Sequence, residues 1–304
     1  MTPENTTYPT PLVISPLSPT KHTHTFILLH GRGSNAPLFG DEFLYSSKIA
    51  SQLPTVRFVF PTASRRRATI CKGVYMNQWF DIYSLEDPGE RADLQIDGLC
   101  ETGAFLRNLI HEEAKMFGDQ DPEDRYRRII LGGLSQGCAM GIFLFLAGGL
   151  DGDMGKRRLG GFVGMSGWLP FNKDLDEIFQ ASSSVDGDDP FAHGSAKGVD
   201  EPPELQAVNH VRDILDLSPL PATISSGQQN LASHLQSPIF LGHGSADDRV
   251  SIRLGEQMAH FLSESLKLDV TWKVYEEFEH WYKVPDEIDD IVRFLREKVG
   301  VPSA

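Results

Sequence analysis

Hydrophobic and polar positions along this chain alternate between short, wholly apolar runs and longer stretches with helical spacing. Thr25-Phe26-Ile27-Leu28-Leu29 and Val56-Arg57-Phe58-Val59-Phe60-Pro61 are runs of the kind that form strands buried on both faces. Glu42 to Leu53 between them reads as a helix, so the chain enters β-α-β alternation. Ala92 to Phe117 places Ile96, Leu99, Leu106, Leu109 and Ile110 at helical spacing, interrupted by Gly98 and Gly103, and predicts a long helix covering one sheet face. Apolar runs beginning at Arg128, Gly161, Ile239 and Trp272 predict further strands. Helices are predicted over Ile252 to Leu266 and Asp286 to Lys298; the latter has acids in its first turn and Arg296 and Lys298 in its last, which suits the helix dipole. The expected fold class is α/β, with a mostly parallel central sheet and helices on both faces.

Two segments stand outside this order. Residues 1–23 are rich in Pro and Thr and read as a tail, with Pro11-Leu12-Val13-Ile14 able to add an edge strand. Residues 24–304 then form one domain, interrupted at about 171–236 by an acidic, turn-rich insertion that includes Ala181-Ser182-Ser183-Ser184-Val185-Asp186-Gly187-Asp188-Asp189-Pro190. Within it only Asn209 to Leu217 looks helical. Open α/β sheets bind ligands beyond the carboxyl ends of their strands, so the insertion is either a mobile lid over such a site or a disordered excursion.

Composition narrows the function. The 304 residues are 40% hydrophobic, ample for a sizeable core, and carry a net charge of −14. That charge, with a pI near 5.1, argues against a nucleic-acid surface, which requires a basic face. Three cysteines, Cys71, Cys100 and Cys138, show no C-x-x-C spacing, so neither a disulfide framework nor a zinc site is suggested. No signal-peptide pattern and no apolar run of roughly 18 residues is present, and a cytoplasmic location is expected. Neither Met1-Thr2-Pro3 nor Val301-Pro302-Ser303-Ala304 matches a lipidation motif, so membrane contact would be transient.

The candidate chemistry centres on Arg128-Ile129-Ile130-Leu131-Gly132-Gly133-Leu134-Ser135-Gln136-Gly137. A β-branched run, a G-x-S-x-G pattern and a long apolar stretch give the strand, sharp turn and helix of a nucleophile elbow, with Ser135 as the nucleophile. A bare G-x-S-x-G also occurs in ordinary glycine-rich loops. The order of the downstream residues adds weight: an acidic loop at Asp247-Asp248 ends one apolar run, and His280 comes just after the next. Ser166, in Gly164-Met165-Ser166-Gly167-Trp168, is a weaker rival without a long apolar helix after it.

Upstream, Leu29-His30-Gly31-Arg32-Gly33-Ser34 is a strand running into a glycine loop, where such hydrolases place one oxyanion donor. The backbone N–H groups of Arg32 and Gln136 are the candidates, while His30 is expected to be structural. His22 and His24 form an H-x-H pair without a third ligand nearby, so no metal site is expected. Arg65-Arg66-Arg67 is either a solvated face or a contact for a lipid phosphate or an acidic protein. Trp79 and Phe80 either line an acyl pocket or anchor their loop, and Trp168 is a further pocket candidate.

Taken together, these pieces resemble the phospholipase/carboxylesterase family of α/β-hydrolases, which includes the acyl-protein thioesterases. The matching motifs are Leu29-His30-Gly31-Arg32-Gly33, Trp79-Phe80-Asp81, Gly133-Leu134-Ser135-Gln136-Gly137-Cys138-Ala139-Met140, Gly167-Trp168-Leu169-Pro170, Gly242-His243-Gly244 with Asp247, and His280. The resemblance implies Ser135 as nucleophile, His280 as base and Asp247 as the acid that orients it, with Asp248 a lesser candidate. It implies acyl transfer to water without cofactor or metal, on an acyl ester or an S-acylated protein. A short-chain carboxylesterase and a lysophospholipase are the enzymatic alternatives, and a non-catalytic binding protein on the hydrolase scaffold is the alternative from another class. Arg32, where the thioesterases commonly carry an aliphatic residue, Cys138 in place of a usual Gly, and the insertion are departures that bear on substrate class.

Overall fold

The structure is a computed structural model. It describes residues 8–18, 21–118, 121–150, 157–183, 201–221 and 232–303. In chain order the elements are β1 (Leu12–Ile14), β2 (His24–Leu29), α1 (Ala36–Ser47), α2 (Ile49–Gln52), β3 (Val56–Phe60), β4 (Arg65–Ala68), β5 (Val74–Asn77), α3 (Ile96–Lys115) and α4 (Pro122–Tyr126). They continue with β6 (Ile129–Leu134), α5 (Gln136–Ala147), β7 (Gly161–Met165), α6 (Asn172–Ser183), α7 (Pro203–Ile214), β8 (Ile239–Gly244), α8 (Ile252–His260), β9 (Val270–Tyr275) and α9 (Asp286–Phe294).

Seven strands form one sheet in the order β1-β3-β2-β6-β7-β8-β9. All neighbours run parallel except β1, which pairs antiparallel with β3 through Leu12 opposite Phe60. The wholly apolar runs occupy the middle: every residue of β2, β6, β7 and β8 is buried. Strands buried on both faces need a helical layer on each side. One layer is α3, α5, α7 and α8, packing Leu106, Met140, Val211 and Met258; the other is α1 and α9, packing Phe39, Phe43, Ile288 and Ile291. This is the mostly parallel, doubly covered sheet expected from the alternation.

Several local features differ from the sequence reading, each for an identifiable reason. The first helix begins at Ala36 rather than Glu42, because the side chain of Asn35 accepts the Leu38 N–H at 3.0 Å and caps it. It breaks at Lys48, whose φ of 51° is left-handed. The basic run is half of an antiparallel hairpin, β4 with β5, in which Arg66 pairs with Glu101 at 2.7 Å while Arg65 and Arg67 stay exposed.

The segment after β7 holds more structure than the single helix expected over Asn209 to Leu217. Helix α6 buries Leu175, and α7 begins at Pro203 and seats Ala207, Val208, Val211, Ile214 and Leu215 in the core. Arg212 Nη1 donates to the Ala147 carbonyl at 2.6 Å, fastening α7 to the end of α5. Helix α5 is apolar all round, which requires cover on every side, and α7 supplies it. Of the stretch at about 171–236 on which a lid or disordered excursion is expected, residues 184–200 and 222–231 lie outside the described residues.

Candidate active site

Ser135 stands between β6 and α5 at φ 57°, ψ −121°, a conformation a non-glycine residue adopts only under constraint from its surroundings. The surroundings supply that constraint through the two flanking glycines. A Cβ built on Gly133 would lie 2.4 Å from the Gly137 carbonyl carbon, and one on Gly137 would lie 2.3 Å from the Leu29 carbonyl oxygen. The elbow therefore folds back on itself and presses α5 against the end of β2 at distances that only glycine allows. The glycine loop passes beside the serine, since a Cβ on Gly31 would sit 3.5 Å from Ser135 Cβ. Gln136 opens α5, where the first N–H groups have no acceptor within the helix and the dipole favours negative charge.

Ser135 and His280 border one cleft of about 750 Å³, shared with Arg32, Gln136, Trp168 and Trp281. Its apolar wall comes from Ile70, Ile82, Leu85 and Val250. A second cleft of about 430 Å³ adjoins across Trp168, between α6 and α8. Trp168 is thus the one predicted pocket residue that does border open space.

The Gln136 side chain has a second task that its motif did not announce. Its Oε1 accepts the Trp79 N–H at 3.1 Å and its Nε2 donates to the Phe80 carbonyl at 2.8 Å. Trp79 Nε1 in turn donates to the His30 carbonyl at 2.7 Å. Asp81 accepts from the backbone N–H groups of Thr69 and Ile82 and from the Thr69 hydroxyl. Trp79 and Phe80 are fully buried and do not border the cleft, so of their two expected roles the structure gives them the anchoring one. His30 also sits in this scaffold. Its Nε2 accepts the Ala63 N–H at 3.0 Å, its Nδ1 donates to the Gly31 carbonyl at 2.7 Å, and burial pushes its pKa down to about 4, so it is a neutral strut.

Two strands along the sheet from β6, β8 ends in the acidic loop, and β9 leads to His280. His280 Nδ1 lies 2.7 Å from Asp247 Oδ2, and the carboxylate is fully buried while the imidazole is 12% exposed. The other carboxylate oxygen, Oδ1, accepts the N–H groups of Arg249 and Val250, both at 2.9 Å. Burial opposes ionisation of Asp247, but hydrogen bonds from His243, His280 and Val250 outweigh it and hold the carboxyl well below the usual range. Asp248, the lesser candidate, borders the cleft and makes no such contact with His280.

Other residues singled out by the sequence are structural. Cys138 is fully buried against Gly164 and Gly167, where a Cβ would fall 2.6 and 2.4 Å from its Sγ, and burial pushes its thiol pKa up. It is a packing residue. His22 and His24 bond to the hydroxyls of Thr25 and Thr23, and burial lowers the pKa of each to about 4.

Chemically, the arrangement offers a hydroxyl at a sharp turn, an imidazole held by a buried carboxylate, and backbone N–H groups beside the hydroxyl, which are the elements of acyl transfer. His243, buried behind Asp247 and 3.2 Å from it, has no role assigned to it by the sequence; the Gly242-His243-Gly244 motif is the available signal.

Known proteins point the same way. A family model described as phospholipase/carboxylesterase matches residues 10–187 and 214–299. The chain is 27% identical over 280 residues to acyl-protein thioesterase 1 of Yarrowia lipolytica, covering 91% of this chain and 93% of that protein. It is likewise 27% identical over 305 residues to acyl-protein thioesterase 1 of Cryptococcus neoformans, covering 95% and 98%. It shares its fold with the crystal structure of Zea mays acyl-protein thioesterase 2, with a TM-score of 0.62 and 23% identity over 95% of this chain and 99% of that one.

Proposed function

Since the chain belongs to the phospholipase/carboxylesterase family and is a serine hydrolase of acyl esters or thioesters, we propose that it removes acyl groups from S-acylated proteins, with Ser135, His280 and Asp247 as its triad. The observation that carries this reading is the 2.7 Å contact between His280 Nδ1 and Asp247 Oδ2 beside a cleft that also holds Ser135. With Nδ1–H donated to the carboxylate, Nε2 is left free to accept a proton.

In the proposed reaction His280 Nε2 takes the Ser135 proton as Oγ attacks the acyl carbonyl. The N–H groups of Arg32 and Gln136 stabilise the resulting oxyanion, with the α5 dipole adding to Gln136. Protonated His280 then gives its proton to the departing thiolate or alkoxide, leaving Ser135 acylated. Water, activated by the same imidazole, releases the fatty acid and restores the hydroxyl. Asp247 holds the tautomer throughout and stabilises the imidazolium. Every step uses protein groups and water alone.

The thioester reading draws support from the named relatives, which are acyl-protein thioesterases aligned over nearly their whole length. The cleft, of about 750 Å³, has room for a hydrocarbon chain along Ile70, Ile82, Leu85 and Val250, with Arg32, Glu86, Asp248 and Arg249 giving it charged borders. Among the described residues no helix is long and apolar enough to cross a membrane, and a cytoplasmic enzyme meeting acylated membrane surfaces transiently is part of the same proposal. Hydrolysis of matched oxygen esters and thioesters over short to long acyl chains, by the wild type and Ser135→Ala, tests it. Rates rising toward long-chain thioesters and lost in the variant are expected. Rates confined to short oxygen esters would make the chain a small-molecule carboxylesterase instead.

A further inference from the structure

Two buried side chains outside the triad converge on the segment that carries His280. Ser166, just after β7, is 1% exposed and stands at φ 48°. Its N–H donates to the Gly242 carbonyl at 2.8 Å, and its Oγ–H donates to the Trp281 carbonyl at 3.0 Å, one residue beyond His280. Glu287, in the first turn of α9, is also 1% exposed. Its Oε2 accepts the Lys283 N–H at 2.9 Å while its own N–H donates to the Lys283 carbonyl at 3.0 Å. Its other oxygen, Oε1, rests against β8, where a Cβ on Gly242 would lie 2.1 Å away. Gly242 is therefore a floor common to both residues.

The segment is also clasped on the near side of His280. Ala246 N–H donates to the Phe278 carbonyl at 2.9 Å, and a Cβ on Gly244 would come within 2.2 Å of that same carbonyl oxygen. The imidazole thus projects from a loop gripped at 278 by the end of β8 and at 281–283 by Ser166 and Glu287.

We propose that Ser166 and Glu287 are positioning residues for the hydrolytic reaction, forming a buried brace that sets where His280 stands between Asp247 and Ser135. This rests on the reading of His280 as the base. The physical reason for polar groups here is directionality. Loop peptide groups in an interior must find partners, and a hydroxyl and a carboxyl fix the height and tilt of the backbone in a way that an apolar filler cannot. A base misplaced by about 1 Å costs on the order of a hundredfold in rate. Because neither residue borders the cleft, the cost falls on kcat and spares KM. Ser166 accordingly serves the site without being its nucleophile.

The test compares wild type, Ser166→Ala, Ser166→Cys, Glu287→Gln, Glu287→Leu and His280→Ala on one neutral ester, measuring kcat, KM, the pH dependence of kcat/KM and the thermal midpoint. Ser166→Ala is expected to lower kcat by about tenfold to a hundredfold with KM changed less than about twofold. Its acid limb should move to lower pH, since a looser Asp247 contact stabilises the imidazolium less. The charged or titratable groups about His280 are His243 of β8, Asp247 of the loop after it, Arg32, Tyr83, Glu86, Asp248 and Arg249 on the cleft, and Glu279 and Lys283 on its own segment, and none of them changes in this variant. Ser166→Cys, a weak donor of similar size, should fall between. Glu287→Gln keeps an acceptor for the Lys283 N–H and should retain most of kcat, whereas Glu287→Leu should not. Wild-type kcat and acid limb in both Ser166 variants would overturn the brace, as would equal kcat in Glu287→Gln and Glu287→Leu. Undiminished turnover in His280→Ala would instead overturn the reading of the base; its loss there, with Ser166→Ala unaffected, would sink the brace alone.

Discussion

His243 Nε2 lies 3.2 Å from Asp247 Oδ2, the same oxygen that His280 Nδ1 reaches at 2.7 Å. His243 Nε2 also lies 2.9 Å from the Val250 carbonyl, so it faces two oxygens and its proton is placed there as donor to both. One carboxylate oxygen thus carries an imidazole on each side, one buried and structural, the other at the cleft. His243→Leu is expected to lower kcat about tenfold and to reduce stability by about 1–3 kcal/mol, the cost of leaving buried acceptors without a partner. Kinetics and urea denaturation of the variant check this; unchanged kcat would confine His243 to packing.

For the proposed triad, Ser135→Ala and His280→Ala should each reduce kcat at least about a thousandfold, and the double variant should be little worse than either, because the members act as one unit. Labelling by a fluorophosphonate probe should vanish in Ser135→Ala. Labelling that persists there would place the nucleophile elsewhere.

Asp247 is held below the usual carboxylate range in the folded chain, so the stability it contributes is present above its unfolded value of about 3.9 and is lost as pH falls through the lower folded value. Asp247→Asn should therefore destabilise at pH 7, with the gap to wild type closing only in strong acid. Thermal midpoints of the two proteins from pH 7 down to about pH 2 provide the measurement, with a constant gap above about pH 4 and a narrowing one below it.

Glu287 behaves oppositely. Burial pushes its pKa up to about 8, near Tyr275 and Cys138 and with the Lys283 N–H as its bonded partner. The folded chain therefore holds a proton that the unfolded chain has lost, and stability falls as pH rises from about 4.5 to about 8. Glu287→Gln, which does not ionise, should be more stable than wild type at pH 8 and lose that advantage toward pH 4.5. A midpoint difference that is flat across this range would refute the buried, neutral carboxyl.

Gly98 shows how closely α3 approaches the anchoring loop. A Cβ there would sit 2.5 Å from Phe80 Cα, so Gly98→Ala should cost at least about 1–3 kcal/mol and disturb the Gln136 contacts that hold Trp79 and Phe80. Gly103→Ala, where the nearest atoms are side-chain ends of Arg107 and Leu215 at 3.2 Å, should cost less and recover helix propensity. Denaturant midpoints of the two variants should differ in that order.

Much of this molecule is written in local pattern. The wholly apolar runs of β2, β6 and β8 and the helical spacing of Leu99, Leu106 and Ile110 specify a covered parallel sheet, because a strand buried on both faces and a one-sided helix each have few stable partners. The spacing Gly133-Leu134-Ser135-Gln136-Gly137 likewise carries the elbow, since both glycines answer contacts made within a few residues or against the adjoining strand. Helix α6 and the start of α7 are not legible in the sequence, because α7 is held by covering α5, and α6 by packing on α7 and, through Phe179, on Phe261 after α8, and not by their own mixed, polar sequence.

What the sequence by itself determined was therefore the alternation of the main strands and helices and a short set of candidate residues, Ser135, Asp247 and His280 among them. Only the tertiary structure decided how they meet. Asp247 Oδ2 reaches His280 across 33 positions of chain, Ser166 reaches Trp281 across 115, and Trp79, equally fit for a pocket or an anchor, turns inward to bond the His30 carbonyl. Contacts of that separation depend on strand order and register, which position β7, β8 and β9 side by side, and no local spacing encodes them.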